Sequence, residues 1–79
     1  MDWIDINKQK PKENQVIWAI LEDEISPIML MYEFIIETAS MGFTRIYDVP
    51  FWTAGKWYAE AHYDEEYKVT HWLPLPSPR

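Results

Sequence analysis

Residues 28–37, IMLMYEFIIE, decide the fold, because they are apolar enough to form either a helix or a strand. A helix has Ser26 to cap it, Pro27 for its first position and Gly42 to end it, with Ile28, Met31, Tyr32, Ile35 and Ile36 along one stripe. A strand has the short turn 22–26 (EDEIS) to fold it back as a hairpin, with Pro27 at its entry. Its hairpin partner is residues 15–21, QVIWAIL, a nearly continuous β-branched and apolar run that suits a central strand covered on both faces. Periodicity alone scores the helix slightly higher.

Outward from that pair the chain reads as short strands and turns. Residues 3–6 (WIDI) suit a first strand, and residues 7–14 a polar connection that Pro11 keeps from becoming helical. Residues 43–47 (FTRIY) alternate as a strand until Pro50. Phe51 and Trp52, then Thr53, Ala54, Gly55 and Lys56, then Trp57 and Tyr58 read as a hairpin with Gly55 in the turn. An acidic loop over 62–66 leads to a last strand over 67–73. No repeat or linker divides the chain, so residues 1–79 read as one domain with 74–79 a proline-rich extended tail.

Seven Lys and Arg against thirteen Asp and Glu give a net charge of −6, which repels phosphate backbones and disfavours direct nucleic-acid binding. The absence of cysteine removes disulfides, thiolate metal sites and a Cys nucleophile, and is compatible with a reducing compartment. No segment approaches the ~18 continuous apolar residues of a membrane helix. The expectation is a cytoplasmic chain with no membrane association. Five Trp in 79 residues are a heavy loading, most simply spent on a core or a subunit contact.

The WI pair at 3–4, the connection holding Pro11, the QVIWAIL strand, the FW and GKWY aromatic hairpin and the closing VTHWLPLPSP of residues 69–78 together resemble a known family. The chain resembles the small phage and prophage proteins grouped as domain of unknown function 551, most specifically in VTHWLPLP. The likeness covers most of the chain and is weakest over 25–50. It favours a strand at the start of 28–37, with any helix nearer 37–41. It implies a phage gene product acting in a bacterial cytoplasm, and it carries over no catalytic residue.

In an unbroken strand over 67–73, Tyr67, Val69, His71 and Leu73 share one face and Lys68, Thr70 and Trp72 the other. His71 then reads first as a core histidine held by a backbone carbonyl, and second as a polar group at a pocket mouth. Trp72 reads first as a covered aromatic, and second as part of a contact surface with Trp57 and Tyr58. Arg45, Lys56, Lys68 and Arg79 are the cations available to a phosphate-bearing ligand stacked on such aromatics. His62 and His71 with Asp64 or Glu66 have no spacing that selects for a metal. Two glycines leave little material for a phosphate cradle, and no GxSxG or HExxH occurs.

The expectation is a β-dominated α+β domain: a small twisted antiparallel sheet or open barrel of about four to six strands with at most one short helix. Function is expected in a non-enzymatic phage-encoded protein that inhibits or modulates a host protein, one of host defence included, with no cofactor and no metal. A sequestering binder of a nucleotide-like small molecule is the alternative, and an acidic DNA mimic a further one. Binding residues on this view are Arg45, Trp57, Tyr58, Lys68, His71 and Trp72. A homo-oligomer fits either, since a small sheet with much aromatic surface needs a partner for its bare face.

Overall fold

The structure is a computed structural model and describes residues 2–78. Its elements are eight strands: β1 (Ile4–Asp5), β2 (Gln15–Leu21), β3 (Ile28–Ile35), β4 (Ser40–Ile46), β5 (Phe51–Thr53), β6 (Lys56–Tyr58), β7 (Ala61–His62) and β8 (Val69–Pro74). Six form one open antiparallel sheet in the order β1-β8-β2-β3-β4-β7, and β5 and β6 form a separate two-stranded ribbon. No helix occurs among the described residues. Where any short helix was expected, near 37–41, the chain instead makes a tight turn between paired Ile35 and Ser40, in which Ala39 takes a φ of 54°.

Residues 28–37 were ambiguous for a physical reason. Opposed residues of paired strands share a face, so Ile17 and Leu30 lie on one side of the sheet and Val16 and Met31 on the other. Both pairs are buried, with Ile17 and Leu30 fully so. A strand covered on both faces loses its period of two, and what remains passes for a helical stripe. The larger core holds Ile6, Ile17, Ala19, Leu21, Leu30 and Trp72, with Ile28, Phe43, Tyr67 and Val69 packed against it.

The last strand departs from simple alternation. Between Ile20 and Leu21 the register with β8 shifts, so that Ile20 opposes His71 while Leu21 opposes Val69. Thr70 is the extra residue of this β-bulge, and its hydroxyl donates to Ile20 O at 3.2 Å. Val69 and Trp72 thereby reach the same core, and His71 turns to the opposite face with Leu73. The expected division, His71 with Val69 and Trp72 with Thr70 away from them, is corrected by this one inserted residue. Pro74 then ends the strand, and Leu75 lies half-buried beyond it.

Candidate functional site: the aromatic hairpin

The β5–β6 ribbon turns on Ala54 and Gly55, between paired Thr53 and Lys56. Both turn residues have positive φ, 52° and 81°, as the tightest hairpin turn demands. That register opposes Phe51 to Tyr58 and Trp52 to Trp57, and alternation sends the two pairs to opposite sides. Trp52 and Trp57 meet edge to face at 5.5 Å. Trp57 Nε1 donates to Pro76 O at 3.1 Å, tying the ribbon to the proline tail. With Lys12, Val16, Lys56 and Leu75, the two tryptophans line a cavity of about 390 Å³ beside β2.

The other side of the ribbon is bare. Phe51 stacks on Tyr58 with ring centroids 5.8 Å apart and planes 19° from parallel, and Lys56 Nζ lies 5.0 Å from the Tyr58 centroid. Phe51 is nevertheless 59% exposed and Tyr58 37%. The approach to the ribbon adds Tyr47 and Val49, both exposed. An exposed, mutually stacked aromatic pair of this kind marks a contact surface on a small domain.

A second cluster sits where β4, β7 and the 63–67 segment meet. Asp64 accepts hydrogen bonds from the hydroxyls of Tyr47 and Tyr67, the latter at 2.7 Å. Those two donors hold the Asp64 carboxyl below its ordinary range. The hydrogen bond to Asp64 raises the Tyr47 hydroxyl, while Tyr67 is raised first by burial and then by the same carboxylate. Arg45 lies 5.7 Å from the Tyr47 ring centroid, and His62 packs on that ring at 5.9 Å.

The six residues expected to bind a ligand or partner are distributed over five places. Trp57 and Tyr58 lie on opposite sides of the ribbon. Arg45 and Lys68 do share a cleft of about 380 Å³, but its other charged walls are Asp23, Glu24, Glu65 and Glu66, so these cations face carboxylates and no aromatic pair of the ribbon. His71 is part-buried with Nδ1 3.1 Å from Thr70 Oγ1, and no backbone carbonyl holds it as expected. Trp72 is 3% exposed, and its Nε1 donates to Gln9 O at 2.9 Å. That removes Trp72 from any binding surface. Arg79, the fourth cation considered, lies outside the described residues.

Phe51, Trp52 and the Asp64–tyrosine cluster were missed as site residues. The signal for the first two was present: a two-residue turn at Ala54 and Gly55 forces Phe51 opposite Tyr58 and Trp52 opposite Trp57. Among the described residues no group of three or more His, Asp or Glu is placed to hold a metal ion, and no helix is long and apolar enough to cross a membrane. Comparison with protein-family models, with curated proteins and with solved structures returns no match for this chain.

Proposed function

We propose that this chain is a non-enzymatic binding protein that docks on a bacterial host protein through the Phe51–Tyr58 side of its hairpin, inhibiting or modulating that target from within the host cytoplasm. The observation that carries the reading is the exposed, mutually stacked pair Phe51 and Tyr58 with Lys56 beside it. Rigid aromatic rings lose little conformational entropy on docking and recur, with cations, at the energetic centres of interfaces. The phage or prophage setting is supported by the sequence resemblance alone, most specifically that of residues 69–78. The test is capture from host lysate by wild-type protein and by the double variant Phe51→Ala, Tyr58→Ala. One host protein retained by the wild type and lost by the equally folded variant supports the proposal; equal retention contradicts it.

The cavity behind the ribbon supports a second reading. Trp52 and Trp57 with Lys12 offer rings and a cation to a nucleotide-like anion, beside Glu13 on the same wall. It predicts quenching of tryptophan fluorescence and a raised melting temperature with some member of a nucleotide panel, and silence in both removes it. Mimicry of DNA has less support, because Arg45 and Lys68 interrupt the acidic surface that 22–24 and 64–66 form.

A further inference from the structure

The six-stranded sheet closes its two ends unequally. At one end β1 pairs with β8 at Ile4 and Asp5, and Ile6 N–H donates to Thr70 O at 3.0 Å beyond them; at the other β7 covers β4 only at Arg45 and Ile46. Among the described residues no strand pairs with Ser40 to Thr44 on the side away from β3. This is a five-residue edge, SMGFT, with no charge, no proline and no bulge to protect it. A groove of about 320 Å³ runs beside it, lined by Ser40, Met41, Gly42 and Phe43 and, across from them, by Tyr63, Glu66 and Tyr67.

The direction of the free backbone groups follows from one contact. Asn14 N–H donates to Tyr32 O at 2.6 Å, so Tyr32 turns its polar groups to β2. Alternation turns Met31 and Glu33 toward β4, and their partners Thr44 and Gly42 toward β3. Met41 and Phe43 are left with N–H and C=O directed outward. The next outward residue, Arg45, already pairs with His62 of β7.

We infer that the β4 edge is a self-pairing interface, joining two copies of this chain antiparallel about a two-fold axis at Gly42. The free stretch is symmetric about that residue: two residues lie on either side before Arg45 is taken by β7 and Ala39 turns the chain away. Met41 then opposes Phe43 of the partner subunit on each side of the axis, for about four backbone hydrogen bonds, and the two glycines meet at the close, non-hydrogen-bonded position. No like charges face each other across these residues, although the whole molecule carries −6. This interface goes beyond the hairpin surface proposed above and shares no residue with it.

Gly42 itself is unsuitable as a probe, since an added Cβ would come within 2.5 Å of Ile35 Cδ1. Met41 is 37% exposed and accepts a charge more readily. Sedimentation equilibrium of the full chain should show a dimer, with amide exchange at Met41 and Phe43 slower in concentrated than in dilute protein. Met41→Lys should weaken dimerisation about tenfold or more with an unchanged circular dichroism spectrum. Should that variant fail to fold, Ser40→Lys at the exposed end of the edge makes the same test. A monomer at every concentration overturns the inference, as does a dimer insensitive to both variants and without protection at Met41 and Phe43.

Discussion

Asp64 joins two tyrosines through one carboxylate, and its ionisation state sets how that contact responds to pH. Its folded value lies below the ordinary one, so its contribution to stability is present above an unfolded pKa of about 4 and is lost as pH falls through the folded value. Tyr47 and Tyr67 have raised folded values. Their contribution is complete below an unfolded pKa of about 10 and is lost as pH rises toward the folded values. Urea denaturation across the pH range should therefore show stability falling at both ends, and Tyr67→Phe should flatten the fall above about pH 10. An unchanged alkaline slope would deny Tyr67 this role. In the core, Leu30 is fully buried beside Ile17, so Leu30→Ala should cost about 2–5 kcal/mol in denaturant unfolding.

At the scale of elements, the hairpin is held by its turn and by two aromatic pairs. Ala54 sits at a φ of 52°, a region that costs an L-residue with a Cβ about 1–2 kcal/mol and glycine almost nothing. Ala54→Gly should accordingly stabilise the ribbon, offset in part by the freer unfolded chain, for a net gain of roughly 0.5 kcal/mol or more in the tryptophan-monitored transition. A loss of stability would mean that the turn is not held in this conformation. The ribbon was legible in the sequence because Gly55, between two short aromatic runs, supplies the positive φ that a tight hairpin turn needs. Strand β3 was half legible: EDEIS before Pro27 announced a turn, but burial on both faces erased the alternation. The bulge at Thr70 was illegible, since it exists only in the pairing of β8 with Ile20 and Leu21, with Thr70 and Ile20 standing 50 residues apart in the chain. It exchanged the environments of His71 and Trp72, leaving Trp72 covered, as it first read, and His71 part-buried on the opposite face.

For the whole molecule, the antiparallel sheet followed from the spacing of apolar runs and turns, whereas the count did not: eight strands stand where about four to six were expected, with β7 running into the stretch read as an acidic loop, and the site did not follow either. Whether an aromatic residue is core or contact depends on what lies across the sheet from it. Trp72 meets the loop carrying Gln9 and is buried; Phe51 stacks on Tyr58 and stays exposed. The two proposals assign separate uses to separate surfaces: the bare ribbon to a foreign partner and the β4 edge to a second copy. Each can be removed without the other, so Met41→Lys should leave capture through the ribbon intact. Position-specific photo-crosslinking in host cells tests the docking claim most directly, with the crosslinking residue placed at Phe51 and, as a still more exposed control, at Ile36. A single host-protein adduct from position 51 and none from position 36 is the predicted result; no adduct from position 51, or the same adduct from both, would contradict it.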